Sequence, residues 1–214
     1  MIDNDVLNLR EMGIHHSPVE QALMILSKAY PDMTWEELEA LSIGERDARL
    51  LAVREQTFGT TLNIFTTCPK CRQALELSLS TINLRSPPPA EAKDSGHKFS
   101  MRIDDVKVCY RLPDSTDLEA ISACTDLDQA RKLLLDRCVL EVHHIDGKTH
   151  QSITKHEEIY SPDFSTALAR QMAEQDPQAE VILNLKCAEC ENEWQALFDI
   201  ASFFWTELET HAKR

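Results

Sequence analysis

The segments Cys68-Pro69-Lys70-Cys71 and Cys187-Ala188-Glu189-Cys190 decide how this 214-residue sequence is interpreted. Each segment is a Cys-x-x-Cys pair, and each lies between two short runs in which apolar and polar residues alternate. Such alternation is typical of half-buried β-strands, so each pair is predicted to occupy the turn of a β-hairpin. Two cysteines three positions apart on a hairpin turn can direct both sulfurs towards one point. Two such pairs therefore supply the four ligands that zinc prefers.

We predict that Cys68, Cys71, Cys187 and Cys190 bind one structural Zn²⁺ and that the two hairpins form a split zinc ribbon. The pairs are separated by 115 residues, so the intervening chain is expected to be an insertion, which costs little because loop-closure entropy grows slowly with length. A dithiol redox centre is the weaker alternative, because it needs only one pair, which normally opens a helix. A catalytic zinc is disfavoured because four cysteines leave no open coordination position.

The composition narrows the class of protein. With 43% apolar residues the chain can bury a core, so general disorder is excluded. The formal net charge of −14 disfavours a nucleic-acid-binding protein, because affinity for nucleic acid comes largely from basic side chains. No apolar run approaches the length of a membrane span, and the first residues do not resemble a signal peptide. We therefore expect a cytoplasmic protein with reduced cysteines and no membrane partner.

The periodicity of the sequence predicts an α+β fold in four parts. These are an N-terminal helical segment over residues 1–60, the split ribbon over 61–85 and 180–200, an inserted α+β unit over 97–179, and a C-terminal helix over 201–214. In the first part, Ser17, Thr34 and Ser42 each precede a glutamate by three positions, which is the pattern of a helix capping box. Gly59 is predicted to end the last of these helices.

The inserted unit is predicted to contain two hairpins and three helices. The hairpins turn at Asp104-Asp105 and Asp146-Gly147, and the helices lie near 117–123, near 127–138 and after Ser161. The strand that follows residue 138 is expected to place Leu140, Val142 and His144 on one face.

The C-terminal helix suggests a partner-binding surface, formed by Phe203, Phe204, Trp205 and Leu208. Its apolar residues cover more than one narrow stripe of the helix. Two interpretations stay open: the helix packs on the protein's own core, or it binds a partner protein.

The remaining cysteines and histidines are predicted to have ordinary structural roles. Cys109, Cys124 and Cys138 are interpreted as small buried hydrophobic residues. A second metal site among the later histidines is disfavoured, because neighbouring strand residues point to opposite faces; these histidines are His143, His144, His150 and His156. The common nucleotide-binding and hydrolase motifs are missing, so we do not expect an enzyme.

An ordered series of segments resembles the baseplate proteins of contractile phage tails and extracellular contractile injection systems, a group that includes baseplate hub assembly chaperones. The resemblance covers about residues 35–210. Its segments are 41–59, 68–71, 110–118, 130–138, 187–190 and 194–205.

The resemblance implies a non-catalytic role in the cytoplasmic assembly of the injection machine, with other baseplate or spike-hub proteins as partners. A permanent baseplate subunit and a zinc-ribbon adaptor that binds nucleic acid or another protein are the alternatives. Family members often have glycine after each Cys-x-x-Cys, where this chain has Arg72 and Glu191. That departure concerns the geometry of the turns, since ligation needs only the sulfurs. The family's last helix usually extends beyond the equivalent of Arg214, so this chain is expected to be shortened there.

Overall fold

A computed structural model describes residues 3–86, 98–103, 105–144, 152–153 and 161–212. These residues form a mixture of helices and small antiparallel sheets, which confirms the predicted α+β class. The chain divides into two compact units. Unit 1 comprises Met1–Leu38, Gly44–Pro87 and Gln178–Arg214, and unit 2 comprises Glu39–Ile43 and Pro88–Pro177.

Helices and short strands follow one another along the described parts of the chain. The helices are α1 (Asp3–Gly13), α2 (Pro18–Ala29), α3 (Trp35–Glu39), α4 (Ile43–Phe58), α5 (Thr81–Leu84), α6 (Ser115–Ser122), α7 (Leu127–Cys138), α8 (Pro162–Gln175) and α9 (Ile200–Ala212). The strands are β1 (Thr61–Thr67), β2 (Ala74–Ser80), β3 (Lys98–Ile103), β4 (Val106–Arg111), β5 (Val139–His144), β6 (Ser152–Ile153), β7 (Ile182–Lys186) and β8 (Glu193–Leu197).

Helices α2, α3 and α4 begin directly after Ser17, Thr34 and Ser42, where the sequence predicts. The Ser17 hydroxyl accepts a hydrogen bond from the Glu20 N–H at 3.1 Å, and the Glu20 carboxylate accepts one from the Ser17 N–H at 2.9 Å. Thr34 and Glu37 form the same reciprocal pair at 3.2 and 2.8 Å. Gly59, directly after α4, has a φ of 82°, which is the left-handed conformation expected of a helix cap.

Arg54 joins three parts of unit 1 through its buried guanidinium group, which is only 2% exposed. Its Nε and Nη2 atoms donate hydrogen bonds of 2.8 and 2.7 Å to the Glu207 carboxylate on α9. It also donates to the carbonyl oxygens of Gly59 at 2.6 Å and Thr61 at 2.7 Å. The charge is therefore both neutralised and hydrogen-bonded, as burial of an arginine requires. Arg54 connects α4, the start of β1 and α9.

Helix α9 also packs against α1 and α2, so closely at α1 that position 13 has no room for a side chain. A Cβ atom added at Gly13 would lie 2.2 Å from Cη2 of Trp205. We expect Gly13→Ala to lower the free energy of unfolding by about 1–3 kcal/mol, because the indole or the helix must move. Thermal and urea unfolding would measure the loss. In a Trp205→Leu background, Gly13→Ala should lower the free energy of unfolding much less. An equal loss there would show that the clash with the indole does not cause the destabilisation.

Unit 2 is built on a four-stranded antiparallel sheet in the order β3-β4-β5-β6. One face of the sheet carries Val108, Tyr110 and Val142, which form a buried core with Phe164 and Leu168 of α8. Strands β3 and β4 form the hairpin predicted around residues 104–105. The turn predicted at Asp146-Gly147 lies outside the described residues.

One predicted feature of this sheet is wrong. Tyr110 pairs with Val139, whereas Cys109 pairs with Glu141, so the register shifts by one residue at a β-bulge. Leu140 is the extra residue and is 40% exposed. It therefore does not share the buried face of Val142, because a bulge reverses the alternation of side chains that a regular strand would have. The side chain of His144 is outside the described part of the chain.

A charged network stabilises the start of α6. The Asp117 carboxylate is fully buried and accepts hydrogen bonds from Arg111 at 2.6 and 2.8 Å and from Arg137 at 2.6 Å. The Asp114 N–H donates to the same carboxylate at 3.0 Å. Burial alone would raise the pKa of Asp117, but the hydrogen bonds from Arg111, the Asp114 backbone and Arg137 lower this pKa to about 2. Asp117 is therefore ionised in the folded protein at neutral pH.

Candidate metal centre

The two Cys-x-x-Cys pairs meet in unit 1. The Sγ atom of Cys68 lies 3.7 Å from that of Cys190, and the Sγ atom of Cys71 lies 3.6 Å from that of Cys187. All four sulfurs lie within 4.8 Å of one another. In a tetrahedron of sulfurs about 2.3 Å from a central zinc ion, neighbouring sulfurs are about 3.8 Å apart. The four thiol groups therefore fit a tetrahedral metal ion, and the predicted meeting of the two pairs is confirmed.

Each pair occupies the turn of a separate two-stranded hairpin, the first formed by β1 and β2 and the second by β7 and β8. In the first turn the Cys68 N–H donates to the Gln73 carbonyl, and the Arg72 N–H donates to the Cys68 carbonyl, both at 2.9 Å. The second turn repeats the pattern: Cys187 donates to Asn192 at 2.9 Å, and Glu191 donates to Cys187 at 3.0 Å. The same backbone geometry thus aims the sulfurs of both pairs.

The residues directly after the two pairs have a backbone conformation that favours glycine. Arg72 has a φ of 62° and Glu191 a φ of 55°, both in the left-handed region that side chains with a Cβ atom disfavour. The turns therefore keep the conformation in which glycine is unstrained, although this chain has an arginine and a glutamate there. These two side chains leave the four sulfurs clustered and add backbone strain to the turns.

This strain leads to a prediction at Arg72. We expect Arg72→Gly to raise the free energy of unfolding by up to about 1 kcal/mol, because the left-handed conformation costs other residues about 1 kcal/mol or more. Urea unfolding of the metal-loaded protein would measure the gain. The matched control is Gln73→Gly in the same turn, where glycine should lower stability by adding freedom to the unfolded chain. Equal losses in both variants would contradict the assignment of strain to Arg72.

The thiol groups of Cys68 and Cys71 do not ionise alike. Backbone N–H groups of Cys71 and Lys70 stabilise the thiolate of Cys68 and lower its pKa to about 6 against the opposing effect of burial. The Gln73 N–H favours the thiolate of Cys71, but burial and the thiol groups of Cys190, Cys187 and Cys68 raise its pKa to about 12. The sulfur of Cys68 therefore ionises more readily than that of Cys71. Metal binding would require deprotonation of both thiol groups, since the thiolate is the ligand.

The apolar residues of α9 occupy the interior of unit 1. Phe204, Trp205 and Leu208 are buried, while Phe203 is partly exposed and its ring centroid lies 5.5 Å from that of Phe198. Burial of three of the four residues fits packing on the protein's own core. Partner binding by this helix stays a prediction.

Two of the other three cysteines differ from what the sequence predicts. Cys138 is buried, as predicted, but Cys109 and Cys124 are partly exposed, so their interpretation as buried residues is wrong. Cys109 lies on the polar face of the sheet, near Glu141 and His143, and the three can offer ligand atoms within 4.8 Å of one another. The sequence did not predict this group, although the alternation of side chains along β4 and β5 places all three residues on one face. His150 and His156 lie outside the described residues.

None of the described helices has the length and apolar character needed to cross a membrane.

Comparison with known families identifies the chain. The sequence model of a family described as T4 bacteriophage base plate protein matches residues 10–205. A comparison with curated proteins gave no match, and neither did a comparison with solved structures. The matched interval includes both cysteine pairs and the first six residues of α9, and it confirms the resemblance to phage baseplate proteins. The chain belongs to the T4 bacteriophage base plate protein family.

Proposed function

We propose that this protein is a non-catalytic, zinc-stabilised factor that assists assembly of the baseplate hub or spike of a contractile phage-tail-like injection system. The observation that carries the proposal is the family match over residues 10–205, an interval that includes the four clustered cysteines. Family membership supports a role in the baseplate. The cysteine cluster supports a structural role for the metal.

Zinc is the proposed metal because four thiolates at tetrahedral spacing are its typical structural ligand set. Four protein ligands fill the coordination sphere, so such an ion stabilises the fold and has no open position for a substrate. The ion would join hairpins that lie 116 positions apart in the chain. We further propose that the two hairpins fold around it as a split zinc ribbon.

The proposed partners are other baseplate or spike-hub proteins, which the chain would meet in the cytoplasm during assembly. A formal net charge of −14 gives little attraction for nucleic acid, so a nucleic-acid adaptor is the weaker hypothesis. The family description, which names a base plate protein, favours a second candidate function, that of a permanent baseplate subunit that remains in the particle.

Complementation of a strain that lacks this gene would test the proposal. We expect the wild-type protein to restore baseplates, visible by electron microscopy, and Cys187→Ser to fail. Cys124→Ser is the matched control, because Cys124 is a partly exposed cysteine outside both ligand groups. Baseplates formed normally with Cys187→Ser would contradict the role of the metal.

The composition of purified particles separates the two candidate functions. Quantitative mass spectrometry should find the protein in assembly intermediates and not in mature particles if it is an assembly factor. Retention at a fixed stoichiometry in mature particles would contradict the assembly factor and support the permanent subunit. Normal particles from the deletion strain would contradict both.

A further inference from the structure

The polar face of the unit 2 sheet brings together three different metal-ligating side chains. Strands β4 and β5 are antiparallel, with Cys109 opposite Glu141 and Lys107 opposite His143. Residues two positions apart on a strand lie on the same face. Cys109, Glu141 and His143 therefore share one face, opposite the face on which Val108 and Val142 are buried.

The distances within this group fit a common ion. One ligand atom from each of the three side chains lies within 4.8 Å of the other two. The Nε2 atom of His143 lies 3.1 Å from the Oε2 atom of Glu141. The side chain of His143 is 31% exposed and that of Glu141 is 59% exposed, so an ion can reach them from solvent. Cys109 is partly covered.

We propose that Cys109, Glu141 and His143 form a second binding site for a divalent metal ion of the Zn²⁺ or Co²⁺ type. A thiolate, an imidazole and a carboxylate are the three ligand types that zinc takes from proteins. The ligand set differs from the four-cysteine cluster in unit 1, because three ligands leave one tetrahedral position for water or for a ligand from another molecule. The two sites lie in different units and share no residue.

The cysteine distinguishes this group from an ordinary surface ion pair. His16 and Glu20 on unit 1 form a pair of the same length, 3.1 Å from Nδ1 to Oε2. The described cysteines, however, form no group with this pair. The third ligand of the proposed site comes from the neighbouring strand, and the pairing of Cys109 with Glu141 fixes its position. The His16 pair therefore provides a matched comparison.

The proposal is tested by titrating Co²⁺ into the full-length protein after the four-cysteine cluster has been loaded with zinc. Binding is measured by calorimetry and by the charge-transfer absorption of a cobalt–thiolate bond. We expect one equivalent of Co²⁺ to bind with the absorption of a single thiolate. Cys109→Ser and His143→Gln should abolish this signal, and Glu141→Gln should weaken the affinity at least about tenfold. Cys124→Ser and His16→Gln should leave binding unchanged.

Two results would overturn the proposal. One is the lack of any single-thiolate cobalt signal in the folded wild-type protein. The other is a signal of wild-type strength in Cys109→Ser or His143→Gln. Circular dichroism and the metal content of the four-cysteine cluster, measured on the same samples, would show that each variant is folded. Either overturning result leaves the zinc proposed for unit 1 unaffected, because that ion has its own four ligands.

Discussion

Loss of the proposed zinc should unfold the hairpins of unit 1, either after chelation or in Cys187→Ser. A structural zinc site of four cysteines contributes apparent binding energy of about 10–16 kcal/mol, which is comparable to the whole stability of a typical domain. Strands β1 and β2 form one two-stranded sheet, and β7 and β8 form another. Isolated two-stranded hairpins are marginally stable in water, so neither should persist without the bridge.

Tryptophan fluorescence and hydrogen exchange would measure this loss, because Trp194 lies on β8 and Trp205 is buried in α9. Exchange should become fast across both hairpins when the metal is removed. Before removal, elemental analysis of Cys109→Ser, which lacks the second proposed site, should find one zinc ion per chain. The Cys124→Ser protein should behave as wild type. An unchanged rate of hydrogen exchange in a sample shown to be metal-free would contradict the proposal that the metal stabilises the hairpins.

Asp117→Ala should cost unit 2 about 3–5 kcal/mol, because it removes the carboxylate that pairs with two arginines. The truncation removes the acceptor of hydrogen bonds from Arg111 and Arg137 and leaves their charges without this partner. Asp128→Ala is the matched control: Asp128 is 87% exposed, and its ion pair with Arg131 spans 3.5 Å. Its loss should cost less than about 1 kcal/mol. Chemical unfolding followed by circular dichroism would compare the two, and equal losses would contradict a special role for Asp117.

The pH dependence of stability provides a separate check on Asp117. The folded-state pKa of about 2 lies below the ordinary value of 3.8. Acidification from about pH 4 to pH 2 should therefore remove about 2 kcal/mol of stability, since the unfolded state binds the proton first. This contribution is fully present above pH 4 and is lost as the pH falls through the folded pKa. Asp117→Asn should lack this part of the acid dependence, and an unchanged acid dependence in that variant would refute the lowered pKa.

Patterns that depend on neighbouring residues were predictable from the sequence. Each of these features depends on residues that are close together in the sequence: the capping boxes at Ser17 and Thr34, the cap at Gly59 and the hairpins beside the cysteines. The meeting of Cys71 with Cys187 was also predictable, because metal chemistry supplies a reason for two distant pairs to converge.

The buried charges were not predictable in this way. Glu207 lies 153 positions after Arg54, and no motif indicates that the two should pair. Arg111, Asp117 and Arg137 likewise come together only once the sheet and two helices have packed. In the sequence these residues resemble ordinary exposed charged residues. Each one meets its partner only in the tertiary fold. The bulge at Leu140 was missed for a similar reason, since a shift of one residue leaves no mark in the alternation of a short strand.

The pairing of Arg54 with Glu207 has a consequence for the order of events during translation. At about 5–20 residues per second, the ribosome adds the 153 residues from Arg54 to Glu207 in roughly 8–30 s. Throughout that time the guanidinium group lacks its carboxylate, and for most of it the first cysteine pair lacks the second. The larger segment of unit 2, Pro88–Pro177, is synthesised entirely within this interval. A nascent chain can thus finish unit 2 first, and unit 1 closes only when its last segment has left the ribosomal tunnel.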